Sequence, residues 1–517
     1  MEHDDATSPK GSLPIIELID ITGRFLDRHS LAMCLRVCHQ WHGALQYQLW
    51  EVLEKRMGMN DHQGYIGPPL PLISKFAHHI RKLHLRLDAE DIRFPGKRTI
   101  RCPVLAELTV KMVCLPRAAH TRARVIEENL ATFIAEHQAS LQKLVLHLGQ
   151  SRALTDAMAA CSRLESLTTP LPYLRWMDWY KNQGSRLQSL TLIGQTPGAH
   201  GDDWSSDFGG RFEMDNNMNT LLAMAPVSSL WNLVIEAGST THSSLQEQML
   251  LVIKSPELRR LAWSGFWTIN HLAEAFQKSH HRLFCQKLES LSIHGHGEIN
   301  LIYFRRVVES LPLLTDLDLS RSSGPGIISC LICPYLATLR LRRLKIDKCV
   351  WVTATAIQNV LCSMAGLQVL IVDCITDTAI GEDPRPWICT GLRELSVGIA
   401  VCSGLEGYGL ILERLATLER LESLTVLSGR SHVLSWAAAH ANEVEVENMQ
   451  LLLERGLDLL KSLKQLRTLK VDHAVTTWGV NEAQWALQNW VHLIGLDIAV
   501  NQEAGILLQH RLLENDD

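Results

Sequence analysis

Leucines recur along this chain in the spacing L-x-x-L-x-L. Complete copies are Leu141-Leu144-Leu146, Leu187-Leu190-Leu192, Leu288-Leu291-Ile293, Leu314-Leu317-Leu319, Leu392-Leu395-Val397, Leu421-Leu424-Val426 and Leu466-Leu469-Val471. Weaker copies centre on Leu83, Leu108, Leu167, Leu233, Leu261, Leu344, Leu370 and Leu496. Successive central leucines are mostly 23 to 31 residues apart, the period of one short strand plus one helix or irregular segment per turn. Alternation within L-x-L sends the apolar residues to a core and the residues between them to the opposite face. The pattern predicts an α/β solenoid over residues 79–500, a curved parallel sheet with helices or irregular segments on its convex side.

The stretch from Ser12 to Trp50 follows a different rule. Ile16, Leu18, Ile21, Phe25 and Leu26 fall near a 3.6-residue period, and a polar break at Asp27 to Ser30 follows, with Ser30 as the expected cap of a second helix. That helix places Leu31, Leu35 and Val37 on its apolar side and leads on to Trp41, Leu45, Leu49 and Trp50. A module of about 40 residues buries too little surface to stand alone, so it leans on a partner, on the repeats, or on both.

Taken together, Leu13-Pro14, Glu17-Leu18, Ile21, Phe25-Leu26, Leu31, Val37-Cys38, Trp41 and Leu49-Trp50 resemble an F-box. One departure is visible: Ile15 and Ile16 separate Pro14 from Glu17 where a single residue is usual. The resemblance implies docking to a Skp1-like adaptor, and membership in an SCF-type, cullin-based ubiquitin ligase. The implied adaptor contacts are Leu13, Pro14, Leu18, Ile21, Leu26, Leu31, Leu35, Val37, Trp41, Leu49 and Trp50. Some repeats are similar to the cysteine-containing leucine-rich repeats that accompany an F-box, as in the larger fungal proteins of this kind. Leu341-Leu344-Ile346 is followed by Cys349, Thr353, Ala356 and Ile357, and Leu367-Leu370-Val372 by Cys374 and Asp377. The alternative is a leucine-rich-repeat scaffold or inhibitor whose helical start is only a cap and which has no ligase role.

Charge narrows the partners. Over 517 residues the net charge is −5 and the pI near 6.5, which gives no general attraction to nucleic acid or to an anionic membrane. No apolar run is long enough to span a bilayer, and the acidic start MEHDDATSPKGS lacks the apolar core of a signal peptide. Thirteen cysteines, an odd number set mostly within apolar repeat segments, read as reduced and buried, so the expected location is cytoplasmic and/or nuclear. The expected organisation is a disordered tail over 1–11, the helical module over 12–56, a linker over 57–78, the solenoid over 79–500, and a capping helix with tail over 501–517.

Motifs for bond-making are absent. Cys330-Leu331-Ile332-Cys333 has no second pair to complete a zinc site, the histidines are scattered, and Gly404 to Gly409 lacks a strand–turn–helix setting. No phosphate loop, nucleophile elbow or H-E-x-x-H occurs, so no enzyme activity, cofactor or metal is expected. Longer intervals mark insertions: a basic helical piece after Leu108, a Gly- and Asp-rich mobile loop over 194–219, and one or two helices between Leu424 and Leu469. Tyr173, Trp176 and Tyr180 share a helical face, which reads as the buried side of a repeat helix in preference to an anchor for a partner.

For the sheet face, early repeats supply Lys82, His84, Arg86, Lys111, Lys143 and His147. Later ones supply Asp316, Asp318, Arg343, Lys345, Asp347, Asp373, Glu394, Asp472 and Asp497, the candidate residues for holding an unidentified protein target. A basic target segment is expected to meet this acidic part, against the plainer reading that these charges only solvate an exposed sheet.

Overall fold

The computed structural model describes residues 15–57, 70–88, 101–113, 120–147, 151–170, 186–193, 229–236, 254–264, 285–294, 301–320, 339–349, 352–429, 447–472 and 476–514, with a few isolated positions between them. The chain divides into two compact units, Met1–Glu213 and Met214–Asp517. Each is α/β, and each carries a parallel sheet.

In the first unit three helices, α1 (Ile15–Gly23), α2 (Arg28–Cys34) and α3 (His39–Glu51), precede the strands β1 (Val52–Met57), β2 (Lys82–Asp88), β3 (Glu107–Val113), β4 (Lys143–His147), β5 (Ser166–Pro170) and β6 (Ser189–Ile193). All neighbours pair in parallel, with Leu53, Leu83, Leu108, Leu144, Leu167 and Leu190 in register as one buried row. Parallel neighbours require crossovers. Here these include α4 (Leu70–Phe76), α5 (His120–Glu136) and α6 (Arg152–Ala159).

The second unit repeats the device. Strands β7 (Asn232–Glu236), β8 (Arg260–Ser264), β9 (Ser290–His294), β10 (Asp316–Asp318), β11 (Arg343–Ile346), β12 (Val369–Thr376), β13 (Glu394–Val401) and β14 (Ser423–Ser428) follow in order. The short β15 (Glu447–Asn448) pairs antiparallel with the end of β13, after which β16 (Thr468–Val471), β17 (Thr477–Trp478), β18 (Gly495–Asp497) and β19 (Ala499–Val500) complete the strands. Leu233, Leu261, Leu291, Leu317, Leu344, Leu370, Leu395, Leu424, Leu469 and Leu496 occupy matching register positions from β7 through β14 and on through β16 and β18, while β17 pairs with β19. Helices α7 (Leu301–Glu309), α8 (Ala354–Ser363), α9 (Asp377–Glu382), α10 (Gly404–Ala416) and α11 (Val480–Asn489) lie in the connections, and α12 (Gln502–Glu514) packs Ala504 and Leu508 against Ala483.

One backbone arrangement sets the register in both units. The carbonyl two residues before the central leucine accepts two successive N–H groups from the next repeat: Gln142 O from Glu165 and Ser166 at 2.8 and 3.0 Å, and Arg342 O from Gln368 and Val369 at 2.8 and 2.9 Å. Backbone donors that would otherwise be orphaned at each turn are thereby satisfied, which is why irregular repeats still stack in phase.

At the N-terminus, Ile19, Leu31 and Leu45 form a small core, with Leu26, Cys34, Leu35, Trp41, Ala44 and Leu49 packed against it. Asp27, not Ser30, caps α2: its carboxylate accepts the Ser30 N–H at 2.7 Å. Asp20 of α1 accepts hydrogen bonds from Tyr47 and from Gln48 Nε2, locking α1 to α3. Strand β1 begins where the repeats were not expected to have started, and α4 lies in the stretch expected to be a linker. The pattern there is Trp50-x-x-Leu53-x-Lys55, in which a tryptophan and a lysine replace two of the three leucines, and pairing with β2 decides the matter.

Candidate protein-interaction surfaces

The helical module sorts its apolar residues into two sets. Leu31 and Trp50 are 5% and 8% exposed and hold the module together, and Leu26, Leu35, Trp41 and Leu49 pack beside its core. Leu18, Ile21 and Val37 face outward instead, with Val37 65% exposed. Ile16, Met33 and Phe25 join them, and Phe25 is 85% exposed. Leu13 and Pro14 lie outside the described residues. The sequence pattern named the outward Leu18, Ile21 and Val37 as contacts but passed over Phe25 and Met33 because helical periodicity alone does not separate a module's own core from a second apolar face. Scattered exposed apolar side chains are ordinary, but six within about 22 residues are many for a module this small.

On the second unit, the sheet face opposite the leucine row brings some of the charged candidates together. Asp318, Lys345 and Asp347 line a cleft of about 490 Å³ with Glu236, Ser264, His294, Ser320 and Ile371. Ser320 orders both carboxylates: its N–H donates to Asp318 Oδ1 at 3.0 Å, and its hydroxyl donates to Asp347. His294 Nδ1 meets the Ser320 carbonyl at 2.9 Å, and since a carbonyl only accepts, this nitrogen carries the proton. Its Nε2 lies 2.6 Å from the Ser292 hydroxyl and 3.8 Å from Asp318. Asp316 and Arg343 form a pair at 3.6 Å beside the cleft. Glu236, Ser264, His294 and Ser320 each follow the last apolar residue of their strand, as Asp347 does, so the same positional rule could have found them.

Asp373 does not belong to this face. The register of β12 against β13 shifts between Val372 and Cys374, leaving Asp373 as the extra residue of a bulge. The bulge turns it inward, where it is 7% exposed and accepts the N–H groups of Lys348 and, at 2.7 Å, Cys349. Four residues on, Asp377, 2% exposed, accepts those of Cys402 and Ser403 in the next repeat at 2.7 Å each. Both carboxylates tie one repeat's turn to the next. Glu394 sits on β13, and Asp472 and Asp497 lie at or beside the far strands β16 and β18, away from the cleft.

Buried thiols fill the repeats. Burial pushes Cys102, Cys161, Cys285, Cys374 and Cys389 up to about 12, and Cys349 donates to the Leu319 carbonyl at 3.1 Å. Among the described residues the cysteines are free, and no group of three or more His, Cys, Asp or Glu side chains could hold a metal ion. Among them, too, no helix is long and apolar enough to cross a membrane. Cys330, Cys333, the aromatic stretch 172–180 and the loop 194–219 lie outside the described residues.

No family model and no curated protein matches this chain. Among solved structures it is similar to an internalin (inlF) from Listeria monocytogenes, at 11% identity over 86% of this chain and 87% of that one, with a TM-score of 0.29. At that level of superposition the likeness bears on neither fold nor function, and the fold rests on the strand register described above.

Proposed function

We propose that the protein is the target-recognition subunit of an SCF-type ubiquitin ligase: the helical module docks a Skp1-like adaptor, and the sheet surface of the repeats captures a protein target. The observation that carries this reading is the division of labour within residues 16–50. Leu31, Leu45 and Trp50 supply a core, so Ile16, Leu18, Ile21, Phe25, Met33 and Val37 are left over as apolar area with no internal use. The resemblance of the same stretch to an F-box names the class of partner that would cover it. In this reading the chain makes and breaks no bond. It raises the effective concentration of target lysines near a ubiquitin-charged enzyme, a gain of proximity. The test is reconstitution of the full chain with a Skp1-like adaptor and a cullin. Co-elution of all three supports the reading, and an adaptor–cullin complex that elutes without this chain refutes it in favour of a scaffold with a helical cap.

A further inference from the structure

The first unit's open sheet face carries its charges in rows with opposite character. At the amino ends of the strands, Lys82, Glu107 and Lys143 are neighbours in register and alternate in sign, and Lys143 Nζ reaches Glu107 Oε1 at 2.8 Å. One outward step on, His84 lies between Glu54 and Glu107, at 3.7 and 3.9 Å. Another step on, at the carboxyl ends, Arg86, Lys111 and His147 are neighbours in register and all are exposed. Arg56 of β1 holds the register position before Arg86.

Adjacent parallel strands are about 4.8 Å apart, so Arg86 and Lys111 stand side by side with like charge, an arrangement that costs stability when nothing neutralises it. No carboxylate pairs with either among the described residues, whereas in the row at the amino ends Lys143 is paired with Glu107. The acids nearest in sequence and register, Glu54, Glu107 and Asp88, bound the ladder on either side along the strands.

We infer that this ladder binds an acidic, Asp- and Glu-rich segment of a partner protein, laid across the carboxyl ends of β2, β3 and β4. The inference rests on the reading of the sheet face as a capture surface and supplies the chemistry of what it captures. The donors are long exposed side chains on separate strands, spread across the sheet instead of converging on one point as a single phosphate would need. Several carboxylates spread along a chain suit them better. The flanking acids and the protein's net charge of −5 disfavour a nucleic-acid backbone, which needs a longer uninterrupted basic track. The expected partner on this face is thus opposite in charge to one suited to the acidic cleft of the second unit.

The probe is a fluorescent oligoglutamate peptide titrated into the full chain, with oligolysine, single-stranded RNA and a phosphoserine peptide of low acidity as comparators. Arg86→Gln with Lys111→Gln should weaken oligoglutamate binding at least about tenfold and remove most of its salt dependence. Lys287→Gln, which removes a surface lysine paired with Glu257 in the second unit, should leave it unchanged. Equal weakening by both changes, no measurable oligoglutamate binding, or a preference for RNA or for the phosphopeptide would overturn the inference. Adaptor binding by the unaltered chain is read separately: its absence would refute the ligase reading, whatever the peptide shows.

Discussion

Trp50, near the end of α3, lies against Phe76 at the end of α4, with ring centroids 4.5 Å apart and planes 20° from parallel. Strand β1 starts two residues after Trp50, so the helical module and the first repeat of this unit share one packed joint. Trp50 is thereby taken out of the set available to a partner. Trp50→Ala should lower stability by about 3–5 kcal/mol, as removal of a buried aromatic does, while Phe25→Ala should stay within about 0.5 kcal/mol. Denaturant unfolding of the full chain measures both, and a neutral Trp50→Ala would mean that the joint is not a structural one.

The inward turn of Asp373 separates it from its outward neighbours in sequence pattern. Asp373→Ala leaves the N–H groups of Lys348 and Cys349 without their acceptor and should cost about 1–3 kcal/mol or more. Reversing Asp316, Asp318 and Asp347 together to lysine should leave the fold in place and change which proteins are captured. Circular dichroism on heating reads the first effect, and comparison of captured partners reads the second. Identical captured sets would reduce the acidic cleft to a solvated surface.

Where the chain was legible, the reason is physical. Each central leucine from Leu83 to Leu496 lies in a parallel strand because its position depends only on the period-two alternation and the repeat length, both local properties. What depends on pairing was hidden. Leu53 is a strand residue because β2 aligns with it, and Asp373 turns inward because β13 is one residue out of step. The same limit blurred the module: α-helical periodicity marks Leu31 and Val37 alike as apolar, and only the packing of α1 against α3 sends one inside and leaves the other 65% exposed. The charged ladder of Arg86 and Lys111 was readable residue by residue, but its like-sign register was not.

Acid should loosen the α1–α3 contact. The Tyr47 hydroxyl, with Gln48 and Arg24, holds the Asp20 carboxyl below the usual carboxylate range. A pKa depressed by folding contributes stability that is present above the ordinary value of about 4 and is lost as pH falls through the lower folded value. Asp20→Asn should therefore lower stability near neutrality and flatten its acid limb below about pH 4, where the unaltered carboxyl is itself becoming protonated. An unchanged acid limb in that variant would mean that other carboxylates set it.

Thiol reactivity should follow burial. With Cys102, Cys161, Cys285, Cys374 and Cys389 pushed up to about 12, almost none of each is thiolate at pH 8. Cys38 is exposed and should alkylate first among the described cysteines, as peptide mapping by mass spectrometry after brief iodoacetamide treatment would record. Early labelling of Cys285 or Cys374 in native protein would contradict the packing described for the repeats.

Calorimetric titration of a Skp1-like adaptor into the full chain and into a Phe25→Ala, Val37→Asp variant decides whether the outward apolar set of the module is its docking surface. The full chain is used because a fragment ending near residue 55 would cut through β1 and lose Phe76. The unaltered chain should form a one-to-one complex. The variant should lose affinity at least tenfold, about 1.4 kcal/mol, with an unchanged melting temperature. No binding to the unaltered chain, or equal binding by both, would contradict docking through this set.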